Sequence, residues 1–284
     1  MLSLSAVVVA RNESGHLRAT VENLRATLPP GAEMVVVDDG STDGCADFLE
    51  RDGGVLLVRG AGLGVAGARN LGARLASGEV MVFCDAHVAA PPGWWRPMLE
   101  VLASPPAGAA APGVFAMGDE EARGYGQRLR GPQLTIEWLP RDGNQPRRAP
   151  LLPGCFLAVR RDAFQAAGGF DGGMRLWGSE DTELSIRLWL LGYELWLVPE
   201  VEVAHLFRLR HPYEVEWEEV LHNRLRMALA HFSARRVSLA VEALREQYGF
   251  SRAWEQARAG DVSGRRQARL HDDDWYFEQL GPRW

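Results

Sequence analysis

Short apolar, β-branched segments alternate with segments of helical periodicity through the first third of this 284-residue chain. The β-branched runs indicate buried strands, and apolar residues that recur every three or four positions indicate amphipathic helices. Strands joined by helical crossovers run parallel, and the helices cover both faces of the sheet. The alternation therefore predicts an α/β fold with a Rossmann-like, mostly parallel sheet. Strands are predicted over 4–10, 34–37, 55–58 and 80–84, and helices over 16–28, 43–51 and 65–76.

The rest of the chain carries weaker patterns. Residues 104–113 are rich in Pro, Ala and Gly and predict a loop, whereas the polar, Pro-rich residues 140–153 predict a mobile surface segment. Beyond about residue 211 the pattern is helical and rich in Arg and Glu, which predicts a C-terminal appendage packed on the core. Further strands are predicted over 155–159 and 194–198, and further helices over 161–167 and 180–191.

Composition excludes several classes of protein. Every basic side chain is Arg, so Schiff-base chemistry and a P-loop lysine are both excluded. The net charge of −6 argues against general nucleic-acid binding. Three scattered cysteines give neither a disulfide framework nor a zinc site. The sequence contains no apolar run long enough to span a membrane and no targeting segment at its start, so we expect a cytoplasmic protein.

Asp85 and His87 directly follow a predicted buried strand. Ligands of open α/β sheets bind at the carboxyl ends of the strands. Residues i and i+2 of an extended chain point the same way, so this carboxylate and this imidazole can converge on one divalent cation. A polar turn is the alternative for the tripeptide taken alone.

Two other strand ends suit a nucleotide. Asp38 and Asp39 lie beside a Gly turn, where one carboxylate can accept from the imide of uracil or from a ribose hydroxyl. Capping of the next helix by Asp39 or Ser41 is compatible with that role. The segment Ala10-Arg11-Asn12-Glu13 ends the first strand at the same edge, where an ordinary polar turn is the alternative. The glycines at 62–67 follow the third strand rather than the first, which argues against a dinucleotide fingerprint.

Several ordered motifs together resemble a known family. They are VDDGSTD from Val37, the pattern G-x-x-x-A-R-N-x-G from Gly64, D-x-H at Asp85, W-G-S-E-D-T-E-L-S-I-R-L-W from Trp177, V-P at Val198, H-L-F-R from His205 and H-P-Y from His211. This series resembles the nucleotide-sugar-dependent glycosyltransferases of GT-A fold, and in particular the polypeptide N-acetylgalactosaminyltransferases, over roughly residues 4–230.

The resemblance implies roles for individual residues. Asp85, His87 and His205 would ligate Mn2+, with Mg2+ as the alternative ion, and the donor diphosphate would complete the coordination shell. Glu180 would hold sugar hydroxyls, Trp177 would shape the sugar pocket, and Gly154-Cys155 would occupy the place of a Gly-Gly pair. We further expect Asp38 or Asp39 to hold uridine together with Arg11 and Arg69. Diphosphate or closing-loop contacts are expected of Arg208, His211 and Tyr213, within a mobile lid over about 208–219.

Departures from the family motifs leave the chemistry open. Asp181 stands where the family has Asn and gives the Glu-Asp pair typical of inverting relatives, in which the Asp is a general base. The other motifs favour retention of anomeric configuration, which is our prediction. Leu71 and Cys155 also depart from the family, so the sugar is not fixed.

The resulting functional hypothesis is a metal-dependent glycosyltransferase. It would move a hexose or N-acetylhexosamine from a UDP-sugar to a hydroxyl or thiol group. The acceptor molecule would be a peptide, a protein or a glycan. The alternatives are an inverting transferase that builds a polysaccharide or lipid-linked glycan, and a non-catalytic sugar-nucleotide-binding module. The predicted domains are a catalytic domain over 1–210, with a nucleotide-binding half (1–100) and a sugar and acceptor half (101–210), followed by a lid and helical extension over 211–284.

Overall fold

The structure, a computed structural model, describes residues 2–208, 210–262, 268–282 and 284. Its strands are β1 (Leu4–Ala10), β2 (Glu33–Asp38), β3 (Leu56–Arg59), β4 (Val80–Asp85), β5 (Val88–Ala89), β6 (Ala107–Ala116), β7 (Asp119–Gly124), β8 (Gln127–Arg130), β9 (Thr135–Trp138), β10 (Arg147–Arg148), β11 (Phe156–Arg160) and β12 (Glu194–His205). Its α-helices are α1 (Gly15–Thr27), α2 (Gly64–Leu75), α3 (Trp95–Leu102), α4 (Arg161–Ala167), α5 (Glu180–Leu190), α6 (Trp217–His231), α7 (Ala234–Leu244), α8 (Phe250–Ala259) and α9 (Asp273–Gln279).

The central sheet has the strand order β10-β12-β6-β11-β4-β1-β2-β3. Strands β3, β2, β1 and β4 are parallel, β11 is antiparallel to both β4 and β6, and β6 is parallel to β12. Along this order, β10 and β11 therefore run antiparallel to the other strands. The prediction of an α/β fold with a mostly parallel sheet flanked by helices is confirmed.

The loop predicted over 104–113 is wrong, because most of this segment belongs to β6 near the middle of the sheet. Its small residues make room for aromatic neighbours. A Cβ at Gly108 would lie 2.7 Å from Tyr193 Cβ, and one at Gly113 would lie 2.6 Å from Tyr125 Cε1. Alanine and glycine carry weak strand propensity, so the sequence pattern conceals a strand that tertiary packing imposes.

Three other predicted segments differ in the structure. Residues 43–51 form only a 3₁₀ turn at Asp47–Leu49, because Asp43 accepts from the N–H groups of Ser14 and Cys45 and holds the chain in a turn. The segment 140–153 is not a surface segment throughout, since Leu151 is fully buried and bonded to the backbone of Gln127. Strand β12 continues past Val198 to His205 after a register shift, where Pro199 has no N–H to donate.

Apolar side chains on both faces of the sheet form the core. One cluster joins Val7, Phe83 and Leu157 of the sheet to α5 and to Met227, Phe232 and Phe277 of the C-terminal helices. The other face packs on α1 and α3 through residues such as Leu17 and Met98. The C-terminal appendage is thus packed on the core, as predicted. In the described part of the chain, every helix is too short or too polar to cross a membrane.

Candidate active site

A cavity of about 490 Å³ opens at the carboxyl ends of β1, β4 and β12, a volume within the range of ligand sites. Most of the predicted site residues line it, although they come from both halves of the predicted catalytic domain and from the extension. The predicted residues on its wall are Arg11, Glu13, Asp39, Arg69, Asp85, His87, Gly154, Cys155, Trp177, Glu180, Asp181, His205, Arg208, His211 and Tyr213.

Asp85, His87 and His205 form a cluster in this cavity. Each offers a ligand atom, and these atoms all lie within 4.8 Å of one another. His205 Nε2 lies 3.2 Å from Asp85 Oδ2, although 120 residues separate them in sequence. The two imidazole rings are 4.9 Å apart. The prediction that these three residues come together is therefore met by the geometry.

Glu13 connects the cluster of Asp85, His87 and His205 to Arg208. Its Oε2 lies 3.1 Å from His87 Nδ1, which leaves Nε2 of that ring free to face a cation. The same carboxylate accepts from the guanidinium of Arg208, with Oε1 at 3.2 Å. Burial alone would raise the pKa of Glu13, but the bonds from His87 and Arg208 hold it below its ordinary value. In the structure, Glu13 orients side chains rather than standing free for a nucleotide.

Arg69 on α2 is buried among acidic groups. It donates to Glu180 Oε1 at 3.0 Å, to Asp85 Oδ1 at 3.1 Å and to the carbonyl of Gly154 at 2.9 Å. Burial alone would raise the pKa of Asp85, but the bond to His205 and the charge of Arg69 hold it below its ordinary value. The guanidinium of Arg69 thus joins Asp85 of the cluster to Glu180, the predicted sugar-binding carboxylate.

Glu180 is buried at the N-terminus of α5. Its Oε2 accepts from the N–H of Gly178 at 2.9 Å, and its Oε1 accepts from Arg69. Burial and the neighbouring charge of Asp181 raise the pKa of Glu180 to about 7, against the opposing charge of Arg69. Both oxygens are anchored, so the carboxylate has a fixed direction into the cavity.

Asp181 is anchored by backbone donors. Its Oδ2 accepts from the N–H of Gly154 at 2.8 Å, and its Oδ1 accepts from the N–H of Thr182 at 2.7 Å. Each carboxylate oxygen is therefore already bonded to a backbone N–H. The adjacent Cys155 thiol is buried, which raises its pKa and keeps it protonated.

Gly154 is the point where Arg69 and Asp181 meet the backbone. A Cβ there would lie 2.8 Å from Arg69 Nη1 and 2.9 Å from Asp181 Cβ. We expect Gly154→Ala to push both side chains from their positions and to lower turnover by about tenfold or more, since sub-ångström misplacement in a site is costly. Steady-state kinetics will measure this, with Gly172→Ala as the control because a Cβ at Gly172 meets nothing within 4 Å. Equal turnover of the two variants would contradict the prediction that activity depends on the close approach of Arg69 and Asp181 to Gly154.

The two adjacent aspartates have different surroundings. Asp39 lines the cavity, but its oxygens accept from the N–H groups of Leu63 at 2.7 Å and Gly64 at 2.8 Å, so it holds the start of α2. Asp38 is 1% exposed, lies outside the cavity lining and pairs with Arg59 at 2.5 Å. Its predicted contact with a nucleotide has no support in this arrangement.

Ala10 and Arg11, two other predicted nucleotide residues, also differ in their surroundings. Ala10 is buried outside the cavity lining, and its carbonyl accepts from Asp39 N–H. Arg11 lines the cavity, lies over the ring of Tyr213 at 5.3 Å and has a buried Nε without a partner in the described residues. Arg11 therefore has unused hydrogen-bonding capacity, and the Nε of Arg69 is likewise buried without a partner in the described residues.

The predicted lid lies against the site. The ring of Trp177 is 4.6 Å from that of His211, which is 5.6 Å from that of Tyr213. Asn12 donates to the carbonyl of Pro212 at 3.4 Å. Residue 209 of the predicted lid lies outside the described residues, and α6 begins at residue 217, so helix occupies the end of the predicted 208–219 segment. Mobility of this segment stays a prediction.

Sequence reasoning missed one wall of the cavity. The hairpin of β8 and β9 contributes Leu134, Ile136 and Trp138, and the first turns of α6 contribute Trp217 and Arg224. The ring of Trp138 packs edge-on against that of Phe207 at 6.0 Å. The turn at Gly131 between two alternating segments was a detectable hairpin signal, whereas nothing in the sequence places α6 beside the cavity.

The fold is the GT-A fold, and the cavity lies where open α/β sheets bind their ligands. The family described as "Glycosyl transferase family 2" matches residues 5–168, and the family described as "N-terminal domain of galactosyltransferase" matches residues 144–212. The first match covers more than half of the chain, so the protein belongs to glycosyl transferase family 2.

Named relatives agree with this family. The polypeptide N-acetylgalactosaminyltransferase 15 of Homo sapiens is 32% identical in an alignment of 235 positions that covers 75% of this chain and 37% of the relative. The polypeptide N-acetylgalactosaminyltransferase 6 of Homo sapiens is 26% identical in an alignment of 315 positions that covers 99% of this chain and 50% of the relative. The chain thus spans about a third to a half of the length of these relatives.

Two solved structures share the fold. The crystal structure of GalNAc-T7 with UDP, GalNAc and Mn2+ superposes with a TM-score of 0.82 at 22% identity and covers 99% of this chain and 56% of that one. The mannosyltransferase PcManGT from Pyrobaculum calidifontis, in complex with GDP-Man and Mn2+, superposes with a TM-score of 0.59 at 20% identity and covers 91% of this chain and 73% of that one.

Proposed function

We propose that this protein transfers an N-acetylhexosamine from a UDP-sugar to a hydroxyl group of a peptide acceptor, with Mn2+ as the resident ion. The main observation in support is that Asp85, His87 and His205 cluster in the same cavity as the anchored carboxylate of Glu180. The names of the relatives support the sugar and the peptide, and the GalNAc-T7 complex contains UDP, GalNAc and Mn2+.

The donor set fits a divalent cation. One carboxylate and two imidazoles suit Mn2+, and Glu13 fixes the ring of His87 through its other nitrogen. When bound, such an ion supplies positive charge to the oxygens of a departing diphosphate. The residues that would hold it are Asp85, His87 and His205.

The remaining residues position the donor. Glu180 faces the cavity with both oxygens anchored, so it is arranged to accept hydrogen bonds from sugar hydroxyls in one orientation. Trp177 and His211 supply ring faces beside it, and Arg11 offers an unused N–H at the end of β1. Asp39 fixes the N-terminus of α2 and thereby holds Arg69 between the two carboxylates.

Binding of the nucleotide tests the proposal directly. We expect isothermal titration to show UDP binding in the presence of Mn2+ and GDP binding weaker by about tenfold or more, since a site built for one hydrogen-bonding pattern rejects another. GDP is the informative competitor because the PcManGT complex contains GDP-Man. Equal affinities would remove uridine from the proposal. UDP release from a panel of UDP-sugars, followed without acceptor, then identifies the sugar.

Stereochemistry is tested at Asp181. Its two oxygens are bonded to backbone N–H groups, which supports a positioning role for this side chain and a retaining reaction. We expect proton NMR of the first product to show an α-linkage from an α-linked UDP-sugar, and Asp181→Asn to change turnover by less than about tenfold. A β-linked product, with turnover of Asp181→Asn reduced by about a hundredfold or more as for loss of a general base, would make the enzyme inverting.

A further inference from the structure

Arg224 differs from the other arginines that line the cavity. Arg69 is paired with Asp85 and Glu180, Arg208 is paired with Glu13, and Arg11 lies over the ring of Tyr213. Within the described ranges, no carboxylate, hydrogen-bond acceptor or aromatic face contacts the guanidinium of Arg224. Burial lowers the pKa of Arg224, and no acid in the described part of the chain opposes the effect. The partly exposed guanidinium of Arg224 is therefore available to a ligand that carries negative charge.

Arg224 lies near the part of the cavity that contains Glu180. It lies one helical turn after Val220, and a Cβ on Gly178 would lie 3.4 Å from Val220 Cγ1. The N–H of Gly178 in turn donates to Glu180. Arg224 therefore stands close to the loop that holds the carboxylate of Glu180, and it lines the same cavity as Asp85 and His205.

Three apolar side chains of the cavity lining are open to solvent and form an apolar rim. Trp217, about one helical turn before Val220 on α6, is 68% exposed. Phe207 is 48% exposed and Ile136 is 42% exposed. All three line the same cavity. Exposed apolar groups grouped at a cavity mouth mark a binding surface. A nucleotide sugar is polar and has no group that needs three such contacts, whereas a peptide acceptor can cover them with its side chains.

We propose that Arg224 binds a carboxylate of the acceptor, so that the enzyme selects acidic peptides. The inference rests on the proposed transfer to a peptide and adds the chemical character of that peptide. The bonds formed are N–H to carboxylate hydrogen bonds between the guanidinium and an Asp or Glu side chain near the accepting hydroxyl. The apolar rim of Ile136, Phe207 and Trp217 covers the flanking residues.

The experiment uses peptides of Ala and Gly with one Thr and a single Glu placed at each position from four before to four after it, each matched by a Gln peptide. We expect kcat/KM for the best Glu peptide to exceed that of its Gln counterpart by about tenfold, the effect of one charge-assisted pair at a half-buried site. Arg224→Gln should abolish this difference. Arg235→Gln, at an exposed position on α7, removes the same charge and should leave it unchanged.

Binding of UDP with Mn2+ separates the outcomes. Its Kd should be the same for the wild type and Arg224→Gln. A weaker Kd in Arg224→Gln would make Arg224 a diphosphate contact and overturn the inference, as would equal kcat/KM for Glu and Gln peptides at every position. UDP-sugar hydrolysis without transfer to any peptide would refute the peptide acceptor and this inference together, whereas absence of UDP binding by the wild type would refute the proposed function itself.

Discussion

Replacing His205 by Ala is expected to lower the affinity for Mn2+ by at least about a hundredfold, because even the loss of partners outside the coordination shell costs about 10–100-fold. His205 is buried at the end of β12 and brings one of three ligand atoms to the cluster with Asp85 and His87. Turnover measured at saturating UDP-sugar and low Mn2+ should fall by a similar factor. Electron paramagnetic resonance of free Mn2+ measures the affinity independently of activity.

The matched control is His16→Ala, which removes an exposed imidazole outside the cavity lining. Thermal unfolding of both variants separates loss of the ligand from loss of the fold. Full activity of His205→Ala in the presence of EDTA, or an unchanged Mn2+ affinity, would show that this histidine does not hold the ion.

Replacing Arg69 by Met should lower the free energy of unfolding by about 3–5 kcal/mol, the cost of leaving buried charges without their partner. Its guanidinium faces Glu180 and Asp85 and also bonds the carbonyl of Gly154, so three groups lose a donor at once. Urea unfolding measures the stability. We further expect turnover to fall by about a hundredfold or more, because Glu180 and Asp85, the carboxylates proposed to bind the sugar and the metal ion, lose their common anchor.

Two further variants make the Arg69 result specific. Arg74→Met alters an exposed guanidinium on the same helix and should change the free energy of unfolding by less than about 0.5 kcal/mol. Adding Glu180→Gln to Arg69→Met removes one of the stranded charges and should recover part of the lost stability, as a double-mutant cycle will show. Simple additivity of Arg69→Met and Glu180→Gln would contradict a direct interaction between these residues.

The metal-ligand motif illustrates what short spacing can predict. Asp85 and His87 are two residues apart at a strand end, and strand geometry alone directs them to the same side. The partner His205 and the carboxylate of Glu180 became candidates through the family resemblance, and the structure brings both to the same cavity. The different surroundings of Asp38 and Asp39 could not be predicted, because the two residues are adjacent and of the same type. Asp38 forms a salt bridge with Arg59, whereas Asp39 accepts from the N-terminus of α2.

The sequence by itself determined the α/β alternation, the strand ends that carry the polar residues and the Arg- and Glu-rich helical extension, because hydrophobic periodicity and local propensity act over a few residues. Only the tertiary structure decided that residues 107–116 form a central strand and that Arg69 bridges carboxylates 16 and 111 residues away. It also decided that Arg224 reaches the cavity without a counter-charge from the described residues. Such contacts depend on how distant segments pack against each other, and packing is set by the whole core rather than by any local pattern.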